Sequence, residues 1–267
     1  MSTIWSDEAG SESAPLIALI HGTMDRSASM LRLSRRLDDR FRVLRYDRRG
    51  YGRSAPHAPP FDMAAQVSDL ESLLHGRRAI VFGHSYGGNV ALATADGAPQ
   101  LVAAVGVYEM PQSWEPWWPS TTAGAAAQAT LGTPADAAER FMRRLVGDST
   151  WESLPAPTRD TRRAEGEAMV AELRDLAASR PWRAARIHCP VIMGYGSRGA
   201  AHHVDGMQRL HEVFEGSQLF VLPDCRHDAP SSQSALVAET MIEALARAAG
   251  SPWSDALSQT AAAPCQP

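Results

Sequence analysis

Along this chain, short, mostly apolar runs alternate with longer stretches in which apolar residues recur every three or four positions. Leu16–Ile20, Arg42–Tyr46, Ala79–Phe82, Leu101–Tyr108, Val191–Tyr195 and Gln218–Leu222 have strand length and are rich in aliphatic residues, so each is predicted to be a strand. The stretches between them follow helical spacing. Ser27–Leu37 carries Met30, Leu31, Leu33 and Leu37, and Met63–Leu74 sets Val67, Leu70, Leu73 and Leu74 on one face. Asn89–Ala95 begins a helix of small residues, and Val237–Ala249 is a closing helix. Strand then helix, repeated, predicts an α/β fold with a mostly parallel central sheet covered by helices on both faces. Right-handed crossovers bring the C-terminal ends of such strands to one edge, where ligands bind, so the loops after strands are the places to look for chemistry.

The pattern breaks between Pro111 and Pro181. Helix signals appear at Pro134–Val146 and Arg162–Ala178, no strand is evident, and Trp114, Trp117, Trp118 and Trp151 are gathered there with Trp182 close by. Residues 111–182 are therefore expected to form a helical lid inserted between core segments 1–110 and 183–250. Residues 251–267, rich in Ala, Ser and Pro, are expected to be a disordered tail.

Composition narrows the function classes. A chain of 267 residues with 44% hydrophobic and 21% charged residues suits one large domain with a full core. The formal net charge of −4 offers no electrostatic footprint for nucleic acid or an acidic membrane, so neither is expected as a partner. Cys189, Cys225 and Cys265 show no CxxC spacing and read as reduced thiols. Met1–Pro15 is polar and acidic, without the basic and apolar segments of a signal peptide, and no apolar run spans a bilayer. A cytoplasmic location is the expectation.

The chemistry enters at Gly83-His84-Ser85-Tyr86-Gly87, a G-x-S-x-G that follows a predicted strand and precedes a predicted helix. So tight a turn strains the backbone of its central residue and leaves no space for side chains two positions to either side. Gly83 and Gly87 meet that requirement. The turn lifts the Ser85 hydroxyl to a helix N-terminus, where N–H groups favour developing negative charge.

Four segments together, Leu19–Thr23 (LIHGT), Arg45–Ser54 (RYDRRGYGRS), Val81–Gly88 (VFGHSYGG) and Leu222–Pro230 (LPDCRHDAP), resemble the α/β-hydrolase family in content and order. The resemblance implies a cofactor-free serine hydrolase with Ser85 as nucleophile. It implies an oxyanion hole from the N–H groups of Tyr86 and Thr23, with Met24 as the alternative to Thr23. It implies His227, after the last strand, as the base. The acid departs from the common pattern: most relatives carry an Asp after the strand that follows the lid, and here Gly194–Ala201 contains no carboxylate. A subset of relatives moves the acid to the end of the strand after the nucleophile helix, which in this chain is Glu109. Asp205 is the competing candidate. Asp224 and Asp228 are too close to His227 in sequence to support its ring.

Other features are assigned structural roles. His21 reads as a structural histidine, and the Arg45–Ser54 turn as a scaffold in which Asp47 ties arginine or backbone donors. Adjacent His202 and His203 read as a surface pair, since neighbouring residues point apart on a helix, so no metal or other cofactor is expected. Trp114, Trp117 and Trp118, with Met24, either wall a pocket for an apolar or aromatic small molecule or pack the lid onto the core. The implied reaction is cleavage of a carboxylic ester or lactone through a Ser85–His227–Glu109 triad and an acyl-enzyme. The alternative is a non-hydrolytic member of the fold: a lyase, a cofactor-free isomerase or cyclase, or a small-molecule receptor.

Overall fold

A computed structural model describes residues 3–258. Its sheet has seven strands: β1 (Ser6–Ala9), β2 (Leu16–Ile20), β3 (Arg42–Tyr46), β4 (Ala79–His84), β5 (Val102–Tyr108), β6 (Val191–Gly196) and β7 (Gln218–Leu222), in the order β1-β3-β2-β4-β5-β6-β7. All neighbours are parallel except β1, which pairs antiparallel with β3. Every residue of β2 and β5 is buried, as two-sided coverage requires. Hydrophobic pattern could not predict β1, because Ser6–Ala9 (SDEA) is polar. It is an edge strand held by ions: Glu8 accepts from Arg42 Nε (2.8 Å) and Arg77 Nη2 (2.5 Å), and Asp7 pairs with Arg45.

The helices are α1 (Leu31–Ser34), α2 (Met63–Leu74), α3 (Tyr86–Gly97), α4 (Ala123–Gln128), α5 (Pro134–Val146), α6 (Asp148–Ser153), α7 (Ala156–Ala164), α8 (Gly166–Ala178), α9 (Ala201–Val213), α10 (Ala229–Ser232), α11 (Ser234–Val237), α12 (Glu243–Ala249) and α13 (Trp253–Ser258). The helix predicted over Ser27–Leu37 is shorter, a 3₁₀ turn (Ser27–Met30) leading into α1. The one predicted over Arg162–Ala178 is two helices, α7 and α8, meeting at Glu165. There Gly166 docks on α5: a Cβ at this position would lie 2.1 Å from Pro134 O. The expectation of a disordered tail from residue 251 is corrected as far as Ser258. Trp253 is buried and donates Nε1–H to Leu16 O at 2.9 Å, so one large aromatic anchors α13 against the core. Residues 259–267 of that predicted tail lie outside the described residues.

The sheet is apolar on both faces, and strand periodicity sorts its residues. Leu16, Ala18 and Ile20 of β2 join Val81 of β4 in the cluster that α2, α3 and α9 cover. Ile17 and Leu19 join Ile80 and Phe82 on the opposite face, beneath α11 and α12. A third cluster belongs to α4–α8: Phe141, Met142, Trp151, Met169 and Leu173 pack with Met24, Tyr51 and Phe61 from the core. Each such side chain taken out of water contributes roughly 1.5–3 kcal/mol, which seats this helical layer over the C-terminal edge of the sheet. Among the described residues no helix is long and apolar enough to cross a membrane.

Candidate active site

Ser85 stands between β4 and α3 with φ 53° and ψ −127°, a conformation that non-glycine residues rarely adopt. The flanking glycines are sterically required. A Cβ on Gly83 would lie 2.1 Å from Gly87 O, and one on Gly87 would lie 2.4 Å from Ile20 O. Gly22 presses on the same residue, with its Cβ position 3.0 Å from Ser85 Cβ. Among the described residues the only non-glycine positions with positive φ are Met24, His75, Ser85, Glu109 and Asp224. His75 caps α2. Met24, Ser85 and Glu109 are residues that the sequence associates with the site, and backbone strain of this kind persists only where the surroundings over-determine it.

Glu109 follows β5 directly and is fully buried. Its Oε2 lies 2.7 Å from His227 Nδ1, and its Oε1 accepts the Gly196 N–H at 2.9 Å. The glycine-rich turn after β6, which lacks the expected carboxylate, therefore wraps a carboxylate supplied by the neighbouring strand. Gly199 completes the wrap, since a Cβ there would lie 2.5 Å from Glu109 Oε1. Tyr108 donates its hydroxyl to Arg226 O at 2.8 Å, fixing the loop that carries His227. Asp205 is exposed on α9 and, among the described residues, bonds to nothing at His227.

Ser85 and His227 line the same two cavities. Among the described residues Ser85 Oγ forms no hydrogen bond, to the His227 ring or to any other group. Contacts of this type commonly tighten only when substrate is bound. The N–H groups of Thr23 and Tyr86 have no acceptor among the described residues either. His21 is buried, accepts the Arg48 N–H at Nε2 (2.9 Å) and sets Nδ1 2.8 Å from Gly22 O. With Nε2 accepting, Nδ1 carries the proton. Burial, and then the Arg48 charge, hold this imidazole well below the usual histidine range, so it is neutral. Asp47 accepts from Ser27 N (2.7 Å) and Arg53 N (2.9 Å), and thus ties backbone donors.

One cavity, about 630 Å³, runs beneath the lid between Trp118, Phe141, Leu173, His202 and His203. The other, about 470 Å³, runs past Met24, Met30, Met142 and Arg162. They share Thr23, Ser85, Phe141, Leu145 and His227, so Phe141 and Leu145 of α5 divide two chambers that meet at the serine. Of the proposed pocket residues, Met24 and Trp118 line these walls. Trp114 and Trp117 do not, so of the two readings offered for them the packing one fits. Trp114 stands edge-on to Trp182, at 5.9 Å between ring centroids, and Trp117 packs against Trp118 and the Arg209 guanidinium. A hollow of about 770 Å³ on the lid, among Glu139, Arg140, Arg143 and Arg163, does not reach Ser85.

His203 is not a surface residue. Its ring stacks on His227 with centroids 4.5 Å apart and 15° between planes, and His84 approaches the same ring at 4.6 Å. Burial, and then the His227 charge, push both imidazoles well below the ordinary range. Glu109, His203 and His227 present donor atoms within 4.8 Å of one another. A metal fits them poorly: Glu109 and His227 already share a hydrogen bond, and parallel stacked rings direct their in-plane lone pairs side by side. Sequence reading missed His203 and His84 as neighbours of His227, although His84 ends β4 and His203 lies in the first turn of α9, the helix that follows β6. It also missed Arg48 and Glu172, a buried ion pair (2.6 Å) between the Arg45–Ser54 turn and α8, for which the sequence carries no signal.

Comparison with known proteins agrees with this architecture. Residues 17–240 match the model of the Alpha/beta hydrolase family. An sn-1-specific diacylglycerol lipase from Danio rerio is 25% identical over 240 residues, covering 81% of this chain and 73% of the relative. A thermophilic esterase from Thermogutta terrifontis superposes with a TM-score of 0.71 at 23% identity, over 92% of this chain and 93% of that one. The enol-lactonase from Burkholderia xenovorans LB400 superposes with a TM-score of 0.71 at 21% identity, over 90% and 95%. With a parallel sheet, a strained serine turn and a family match across most of its length, this chain belongs to the alpha/beta hydrolase family.

Proposed function

We propose that this hydrolase cleaves a carboxylic ester or lactone by acyl transfer through Ser85, His227 and Glu109. The observation that carries the reading is the 2.7 Å contact of the buried Glu109 carboxylate with Nδ1 of His227, whose ring lines the same cavities as Ser85. A carboxylate there keeps the proton on Nδ1 and leaves Nε2 as the acceptor. His227 Nε2 takes the Ser85 proton as Oγ attacks the carbonyl carbon. The Thr23 and Tyr86 N–H groups receive the oxyanion, a contribution of several kcal/mol. His227 then gives the proton to the leaving oxygen, and water repeats the sequence on the acyl-enzyme.

The chambers of about 630 and 470 Å³ suit a small molecule with a sizeable group on each side of the scissile bond. Their linings of Phe141, Leu173, Met30 and Met142 favour apolar arms. The lipase, esterase and lactonase names of the similar proteins are consistent with ester chemistry.

The test is covalent labelling with a fluorophosphonate, followed by peptide mapping and a panel of p-nitrophenyl esters and lactones. Wild type should label at Ser85 and turn over esters, and Ser85→Ala should do neither. An unlabelled wild type, or one labelled at another residue, refutes the reading and points to a non-hydrolytic member of the fold.

A further inference from the structure

The lid does more than cover the serine: one of its carboxylates reaches the loop expected to hold the oxyanion. Glu172 of α8 is fully buried. Its Oε1 accepts from Thr23 Oγ1 (2.7 Å), Tyr51 Oη (2.7 Å) and Arg48 Nη2 (3.3 Å), and its Oε2 from Arg48 Nη1 (2.6 Å). Arg48, buried as well, turns the rest of its guanidinium on the same loop. Nη2 donates to Gly22 O at 2.9 Å and Nε to His21 O at 3.1 Å. The Gly22 carbonyl also faces His21 Nδ1 at 2.8 Å.

The consequence follows from the planar trans peptide. Gly22 C=O and Thr23 N–H belong to one rigid unit and point in opposite directions. Clamping the carbonyl between Arg48 and His21 therefore fixes the direction of the Thr23 N–H. That N–H has no acceptor among the described residues, and its peptide adjoins Gly22, which packs against Ser85. Glu172 holds the clamp at both points, through the guanidinium and through the Thr23 hydroxyl. A second lid contact acts two peptides further on, where Arg162 of α7 donates to Met24 O at 2.8 Å.

We propose that Glu172 is a positioning residue that aims the Thr23 amide at the oxyanion, so that the oxyanion hole is complete only with α8 docked. The inference rests on the reading of Ser85 as an acyl-transfer nucleophile. It assigns Glu172 no contact with substrate. Its loss should appear in the rate of the chemical step and in affinity for a tetrahedral adduct, with ground-state binding left alone.

The experiment compares wild type, Glu172→Gln and Thr23→Val. Glu172→Gln keeps the shape and removes the charge that holds Arg48, and Thr23→Val removes only the direct hydroxyl bond. Measured are kcat and KM on the best p-nitrophenyl ester, affinity for an alkyl boronic acid, and the rate of fluorophosphonate labelling. Since removing an oxyanion donor outright costs about 10²–10³ in kcat, misdirecting one should cost about 10–100-fold in Glu172→Gln and about 3–10-fold in Thr23→Val. KM should stay within about threefold, and boronate affinity and labelling rate should fall in step with kcat. A merely structural role would lower the fraction of active protein and leave the affinity and kcat of that fraction unchanged. Should Glu172→Gln fail to fold, Thr23→Val still decides, because unchanged kcat and boronate affinity in that variant overturn the proposal. A wild type inert to the fluorophosphonate removes the nucleophile reading and this inference with it. A labelled wild type with unchanged variants overturns this inference alone.

Discussion

Exchanging one atom at position 109 tests the acid most directly. In Glu109→Gln the side chain keeps its shape, and its oxygen can still accept the Gly196 N–H that now lies 2.9 Å from Oε1. The amide nitrogen then takes the place of Oε2, 2.7 Å from His227 Nδ1. A donor facing Nδ1 selects the tautomer with its proton on Nε2, and that tautomer cannot accept the Ser85 proton. Loss of this orienting carboxylate elsewhere costs about 10⁴ in kcat, so a fall of about 10³–10⁴ is expected, equal to roughly 4–5.5 kcal/mol of barrier. KM should change by no more than a few-fold, because Glu109 is buried behind His227 and lines neither cavity. The assay is steady-state hydrolysis of a p-nitrophenyl ester, with a thermal melt on each variant to show that it is folded. Asp205→Asn is the control: that carboxylate is exposed on α9, and its loss should leave kcat within about twofold. A Glu109→Gln protein retaining a tenth or more of wild-type kcat refutes the reasoning, as does an Asp205→Asn protein that loses it.

Gly199→Ala should reproduce part of this defect without replacing Ser85, His227 or Glu109, because its Cβ would stand 2.5 Å from Glu109 Oε1 and force the carboxylate aside. A fall in kcat of about 10–100-fold with an unchanged melting temperature is expected. Stability should drop in mild acid, since burial holds His21, His84 and His203 well below 6.5. The unfolded chain takes up protons that the folded one refuses, so stability present above pH 6.5 is lost as pH falls below it. The loss is about 1.4 kcal/mol per histidine at pH 5.5, to be read from urea melts at pH 7.5 and 5.5. Trp253→Ala should cost about 3 kcal/mol in the same melts and leave kcat unchanged, which tests whether α13 is part of the core.

What the sequence made legible follows from which forces leave a local mark. The central strands β2, β4, β5 and β6 were readable because burial on both faces demands continuous apolar runs, and α2 and α5 were readable to the residue because they combine one apolar face with a polar cap. The serine turn was readable because sterics dictate glycine at two fixed offsets. Strand β1 was not, because Glu8 and Asp7 hold it through arginines 34 to 69 positions away. The break between α7 and α8 was hidden because its local mark is a single glycine, Gly166, whose close approach to Pro134 is a tertiary contact. The Arg48–Glu172 pair spans 124 positions, and its partners carry no mark that separates them from the other charged residues of the chain. The stacked His203 was misread because adjacency of two histidines says nothing about which of them faces a neighbouring loop.

The placement of the carboxylate on β5 has a physical consequence beyond replacing one acid by another. Strands β5 and β6 are parallel neighbours with Tyr108 opposite Gly194, so a carboxylate just past either strand stands at the same level beside His227. The two positions differ in what else they touch. Tyr108 O accepts the Ser85 N–H at 2.9 Å, Tyr108 Oη donates to Arg226 O at 2.8 Å, and Glu109 Oε2 faces His227 at 2.7 Å. One dipeptide therefore grips the serine turn, the histidine loop and the imidazole, so their relative positions depend on a single short segment. Fewer intervening bonds leave fewer soft torsions through which the three groups can drift, and tolerance in such constellations is about half an ångström. The strained φ of 47° at Glu109 directs its side chain sideways toward the histidine. The end of β6 and the turn after it carry no carboxylate and form a mould for Glu109, with the Gly196 N–H bonding its carboxylate and Gly199 leaving it room. A carboxylate restored to that turn would crowd Glu109 against like charge in a buried space, so only one of the two positions can hold the acid at a time.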